Sequence, residues 1–295
     1  MDGNEFLAER FEAHRTHLRA VAYRMLGSLS EADDAVQEGW LRLSRSDTSE
    51  IENLGGWLTT VVGRVCLDML RTRMSRREEP LEPPAVHLPD PIVSSADSVT
   101  PEHQVLLADS VGLALLVVLE TLSPAERLAF VLHDLFSVPF DEIAPIVGRT
   151  PTAARQLASR ARRRVQGAAP AVDTDPARQR EVVDAFLTAA RGGDLEALVA
   201  VLDPDVVARS DAGDLRPGAV VRGARAVAGQ ALTFARLAAV ARPALVNGTL
   251  GVVAASQGRP VSVMAFTIAH GKIVEINILA DPERLARLDL TVLGD

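Results

Sequence analysis

Between Glu78 and Pro101 the chain carries six prolines, at positions 80, 83, 84, 89, 91 and 101, with five acids among them. Each proline fixes its own φ, lacks a backbone donor and biases the residue before it toward extended backbone. Such a stretch is predicted to stay extended and to build no core of its own. It divides the 295 residues into parts that must each close around their own apolar surface. The parts read as a helical block over 4–77, the linker 78–101, a second helical block over 102–166 and, after a short linker near 167–176, a block of different character over 177–295.

In the first block, Phe6–Met25 has helical apolar spacing and stops near Gly27, and Ser30 is expected to cap the next helix, which runs to about Leu43. Trp57–Arg73 is predicted to be amphipathic, with Leu58, Val61, Val62, Val65 and Met69 inward and Arg64, Asp68 and Arg71 outward. In the second block, Ser123-Pro124 is a helix start, and residues 140–165 read as a helix-turn-helix around Gly148. Ala154, Leu157, Ala158, Ala161 and Val165 form an inward stripe, while Thr152, Arg155, Gln156, Ser159, Arg162 and Arg163 recur on the other side. Six arginines and no acid lie from Arg149 to Arg164. A helix of that charge fits a major groove, where Arg and Gln pair with base edges and flanking arginines with phosphates. Pro145 should kink the first helix of the pair.

The net charge of −8 excludes a uniform attraction to nucleic acid, so the basic charge has to act locally. It is concentrated in two places, Trp57–Arg77 and Arg149–Arg164. Cys66 is the only cysteine, which rules out an intrachain disulfide and suits a buried small residue. The six histidines are scattered without ligand spacing, so neither a metal nor another cofactor is expected. The longest apolar run, Leu113–Leu119, is too short to cross a bilayer, and the polar, acidic N-terminus is no secretory signal. A soluble cytoplasmic protein with no membrane partner is expected.

The last block opens with a helix over 177–190, a Gly192-Gly193-Asp194 break and a second helix over 195–202. Strands follow, with Asn247-Gly248 and His270-Gly271 as hairpin turns and a helix near 224–235 between them, giving a small α+β domain. Asp205, Asp211, His270 and Asn277 are the polar candidates for proton transfer in such a domain. His270 reads as an exposed turn residue and Asp205 as turn chemistry, so catalysis is not expected.

Glu31-Ala32-Asp33-Asp34-Ala35-Val36-Gln37-Glu38-Gly39-Trp40-Leu41 resembles the "DAEDLVQETFLR" segment of sigma factors of the extracytoplasmic-function group in the sigma-70 family. Gly56–Arg71 resembles that family's "AWLYRIARNLALDRLR", Leu122–Leu132 its "LPPRQREVFVL", and Phe140–Arg164 its "SYEEIAEILGISVGTVKSRLHRAR". The resemblance implies a multidomain fold with two all-α sigma domains, the second with the helix-turn-helix. It implies that Asp33, Asp34, Gln37, Glu38 and Trp40 dock on the β′ clamp helices of the bacterial RNA polymerase core, with the β flap as a further contact. Arg64, Arg71, Arg73, Arg76 and Arg77 would then open the −10 element of promoter DNA, around a base pocket in the loop 46–53. Arg149, Thr152, Arg155, Gln156, Ser159, Arg160, Arg162 and Arg163 would read the −35 element. Val65 departs from the pattern, because the family often has Asn there.

The block from Ala177 resembles a SnoaL-like, cone-shaped α+β domain, carried by Val182–Leu187, Gly192–Leu198 and Leu202–Val206. One sigma subfamily joins such a tail to the two helical domains and bears three marks. His87-Leu88-Pro89-Asp90-Pro91 is similar to its "WLPEP", Ser210–Asp214 to its "DGGGK", and Asp281-Pro282-Glu283-Arg284-Leu285 to its "NPDKL". The resemblance implies that the tail tunes the sigma domains in cis. Leu88, Pro89, Asp90 and Pro91 are then expected to lie near Asp211, Gly213 and the segment Asp281–Leu285, with Asp281, Pro282 and Leu285 foremost. Such a cone also has room for a small apolar ligand. An alternative is a helix-turn-helix regulator with a ligand-sensing tail. It accounts for Arg149–Arg164 but not for the acidic helix or for Trp57–Arg77.

Overall fold

The computed structural model describes residues 3–47, 51–76, 86–95, 112–168, 173, 175–213, 218–257, 259–288 and 290. It divides into two compact units, Met1–Leu81 with Val118–Ala168, and Glu82–Val117 with Ala169–Asp295.

The first unit begins with α1 (Gly3–Leu26), α2 (Leu29–Leu43) and α3 (Leu54–Arg76). Gly27, at φ 72°, ends α1, and Ser28 rather than Ser30 caps α2. The extended backbone of Ser28 lets its Oγ accept the Glu31 N–H at 3.5 Å, whereas Ser30 is already inside the helix. Leu18, Met25 and Leu26 of α1, Ala32, Ala35 and Leu43 of α2, and Leu58, Val62 and Leu67 of α3 are all fully buried. α2 and α3 touch at Gly39, where a Cβ would come within 2.9 Å of Val62 Cγ2.

α3 is buried on more of its circumference than its apolar stripe predicts. Thr59, Cys66, Leu67 and Leu70 are buried too, while Val61 and Met69 are only half-buried. The cause is a second layer on its far side, where a Cβ on Gly63 would stand 3.3 Å from Leu132 and 3.5 Å from Leu128. That burial pushes the Cys66 thiol well above its ordinary value, which leaves it unreactive.

The second layer follows α4 (Leu113–Glu120). α5 (Pro124–Phe130) starts with a full capping box, in which Ser123 and Glu126 bond each other's backbone N–H groups. It continues as a π-helical turn over Val131–Leu135, then α6 (Phe140–Val147) and α7 (Pro151–Ala168). Gly148, at φ 67°, makes the left-handed turn between α6 and α7. Pro145 lies at an exposed position inside α6, which runs on past it to Val147. Arg127, only 5% exposed, donates from Nη1 to the Met25 carbonyl at 2.9 Å. Burial pushes its pKa down to about 10, so it is still a cation at neutral pH. Phe136 sets its ring edge-on to His17 at 5.2 Å and lies under the Arg24 guanidinium at 4.8 Å. The two helical blocks thus pack into one body.

In the second unit, α8 (Pro176–Gly192) and α9 (Leu195–Val201) precede β2 (Leu202–Asp211) and β3 (Ala219–Arg222). Then come α10 (Ala224–Thr233), α11 (Ala235–Ala239), β4 (Ala241–Val246), β5 (Thr249–Ser256), β6 (Arg259–Ala269), β7 (Lys272–Leu279) and α12 (Pro282–Leu285). With β1 (Val93–Ser95) at one edge, the sheet order is β1-β4-β5-β6-β7-β2-β3, with β2 and β7 parallel and every other pair antiparallel. Val183, Phe186, Leu198, Val206, Ala228, Phe266 and Ile276 share its core, with Phe186 and Phe266 edge to face at 5.5 Å. Asn247-Gly248 and His270-Gly271 turn their hairpins with all four residues at positive φ.

The first strand comes from the proline-rich linker. β1 (Val93–Ser95) pairs with β4, in the register Val93↔Val246 to Ser95↔Ala244. Residues 86–95 are extended, as predicted, but they are not excluded from a core: Leu88, Pro89, Pro91 and Val93 are buried. The segment builds no core of its own. It completes an existing one, because β4 offers a free sheet edge and the two prolines stand ahead of the ladder, where no donor is needed.

Candidate functional site

α7 presents two unlike faces. Ala154, Ala158 and Ala161 are fully buried, and their small side chains let the helix lie close on α5 and α6. Thr152, Arg155, Gln156, Ser159 and Arg163 are exposed on the other face, and Arg149 is exposed in the turn before it. The Arg155 guanidinium lies over the Phe140 ring at 5.3 Å. Two acids that the linear sequence does not place here close on the helix. Glu126 of α5 accepts Arg160 Nε at 3.0 Å and Arg164 Nη1 at 3.0 Å, and Asp134 of the π turn accepts Arg162 Nε at 2.8 Å. Burial raises the Glu126 carboxyl, but hydrogen bonds from Ser123 and Arg160 and the charge of Arg164 outweigh it and leave the group below its ordinary value.

On α3, Arg64 and Arg71 face solvent, with Arg71 only loosely paired to Asp68 at 3.8 Å. Arg73 turns away from them, bonding Glu31 and the Leu26 carbonyl. Arg77, the Arg76 side chain and residues 48–50 of the expected base pocket lie outside the described residues. Between α2 and α3 runs an open groove of about 590 Å³, lined in part by Glu31, Glu38, Arg42, Val65, Met69 and Arg73. On the outer face of α2, Asp33, Asp34 and Gln37 are exposed, with Asp33 held by Arg19 at 2.7 Å. Glu38 is paired with Arg42 at 2.9 Å, and Trp40 is half-buried with its ring 5.2 Å from that of Phe11.

In the second unit the three marked segments meet. Asp211, at the end of β2, accepts the Leu88 N–H at 2.9 Å and bonds the Gly213 N–H at 3.1 Å. Arg284 on α12 donates to Asp90 at 2.7 Å, to Asp211 at 2.7 Å and to the Leu88 carbonyl at 2.5 Å. Asp281 caps α12 by accepting Glu283 N–H at 2.9 Å, and it packs so closely on Gly213 that a Cβ there would meet it at 2.5 Å. Pro282 occupies the first turn of α12, and Leu285 is buried. His87 brings Nδ1 to 3.6 Å from the same Asp211 carboxylate. Asn247 adds a second anchor, taking the Ile92 N–H on Oδ1 at 3.0 Å and giving its own N–H to the Ile92 carbonyl at 2.8 Å. Asn247 was absent from the sequence-derived contact set. Arg284 entered it only as one residue of Asp281–Leu285, at the Lys position of the "NPDKL" mark, with no role of its own.

The other polar candidates of this unit serve the fold. Asn277 is buried and bonds Glu275, which pairs with Arg209 at 2.7 Å. His270 is an exposed turn residue whose N–H goes to Asp173. Among the described residues no group of three or more metal-ligating side chains occurs, and no helix is long and apolar enough to cross a membrane.

Comparison with known proteins extends over nearly the whole chain. The probable ECF RNA polymerase sigma factor SigI of Mycobacterium tuberculosis is 40% identical over 288 residues, 97% of either chain. The chain belongs to the extracytoplasmic-function RNA polymerase sigma factors. In this sigma factor, residues 10–76 match the sigma-70 region 2 model and residues 112–165 the sigma-70 region 4 model. The ECF sigma factor SigJ of the same organism is 41% identical over 291 residues, 93% of this chain and 91% of that one. The crystal structure of Mycobacterium tuberculosis SigJ superposes with a TM-score of 0.76 at 37% identity, covering 96% of this chain and 99% of that one. The fold is therefore two sigma domains followed by an α+β domain built on a mixed sheet, and the family is one of transcription initiation factors, not of enzymes. The likeness across the full length sets aside a conventional helix-turn-helix regulator.

Proposed function

We propose that this sigma factor directs RNA polymerase core to its promoters through three surfaces and that its tail regulates the process in cis. Asp34, Gln37 and the exposed Leu41 of α2 suit a basic, partly apolar partner such as the polymerase clamp. Arg64 and Arg71 supply cations to the opened −10 strand. The exposed face of α7 reads the −35 element, with Arg155 and Gln156 toward base edges and Arg149 and Arg163 toward phosphates. The linker held by Arg284 joins the −10 and −35 blocks along the chain, so the tail acts on the sigma domains through it. The observation that carries this reading is the convergence of Leu88, Asp90, Asp211 and Arg284.

Run-off transcription with purified core polymerase, on the DNA upstream of the protein's own gene, tests it. Full-length chain should start transcription at a defined site, and Arg284→Met or truncation after Pro170 should change the rate. No initiation by any form would refute the sigma assignment, and equal rates from all forms would refute the regulatory one.

A further inference from the structure

The acids that close on α7 have a use that the helix-turn-helix pattern does not disclose. A recognition helix is read by its charge, and Glu126, lying against it, lowers that charge. A carboxylate there weakens any non-specific attraction to phosphate. Yet its side chain is only 8% exposed and takes two guanidinium groups, while Arg160 and Arg164 are themselves 48% and 54% exposed. Each of these arginines spends one nitrogen on Glu126, Arg160 through Nε and Arg164 through Nη1, and leaves about half of its side chain open to solvent. A free arginine explores many rotamers and loses that freedom on binding; one fixed by a carboxylate is already ordered. Ser123 holds the carboxylate in turn, through an Oγ hydrogen bond at 2.8 Å.

We infer that Glu126 is a positioning residue for promoter recognition: it presets Arg160 and Arg164 so that they meet DNA in one geometry. It exchanges non-specific affinity for discrimination between sequences. The inference rests on the reading of α7 as the −35 reader.

Glu126→Gln tests it, because glutamine also serves a capping box and keeps the start of α5 intact. The full chain is assembled with core polymerase and assayed on its own upstream DNA and on the same fragment with the −35 hexamer permuted. Wild type should favour the native fragment. In Glu126→Gln the native-to-permuted ratio should fall by about tenfold, the equivalent of one base contact, while output from the permuted fragment is unchanged or higher and the melting temperature drops only by what the lost ion pairs contribute. Ser123→Ala, which removes the cap and loosens the carboxylate but keeps both arginine contacts, should lower the melting temperature and reduce the ratio less than Glu126→Gln does. An unaltered ratio in Glu126→Gln, or parallel loss on both fragments with a lower melting temperature, would overturn the inference. Failure of wild type itself to discriminate would instead overturn the reading of α7, and this inference with it.

Discussion

Arg284 serves two carboxylates and one carbonyl at once, from a side chain that is 15% exposed. Its planar fork suits that task, and lysine, with a single nitrogen, cannot reach all three acceptors. Arg284→Met leaves Asp90 and Asp211 buried without their cation, so the second unit should lose about 3–5 kcal/mol, measured by urea unfolding. Arg284→Lys should lie between the two. Gly213→Ala should cost about 1–2 kcal/mol from its left-handed backbone alone, with the clash against Asp281 added, and a shifted urea midpoint reports it. At this scale the sequence marked Asp211, Gly213, Asp281–Leu285 and the linker residues but did not single out Arg284 as the cation that joins them. Short motifs mark turns and caps, which are local. The partners of Arg284 lie 73, 194 and 196 residues away along the chain, beyond the reach of any spacing rule.

The helices were legible because a period of 3.6 residues is visible in any amphipathic stretch, and α7 shows it cleanly through its alanines. β1 was not, because three residues show no period, and prolines on its approach argued for an unpaired segment. The surroundings of α7 were also hidden: Glu126 and Asp134 belong to earlier elements, and only packing brings them to the basic helix. That packing makes α7 acid-sensitive. The folded-state pKa of Glu126 is lowered, so the stability it contributes is fully present above the ordinary carboxylate value and is lost as pH falls through the lowered one. A melting series toward acid should fall less steeply for Glu126→Gln than for wild type. Equal slopes would mean that the ion pairs with Arg160 and Arg164 contribute nothing to the fold.

At the scale of the whole molecule, the order of blocks along the chain could be read from composition, but their grouping could not. The linker is shared out by contact with a sheet more than a hundred residues downstream, and the helical blocks on either side of it pack together through Arg127 and Phe136. Truncation after Pro170 strips residues 86–95 of their sheet, so limited proteolysis should cut this segment much faster in the truncated chain than in the full one. Equal cutting would mean that the sheet gives the segment no shelter. The shared strand also bears on how such proteins can be recombined. A tail grafted alone onto another sigma factor would arrive with a bare sheet edge and an arginine deprived of two of its three acceptors. Only a graft that takes the decapeptide Val86–Ser95 along with it would move a complete folding unit, so the natural cassette is discontinuous in the gene.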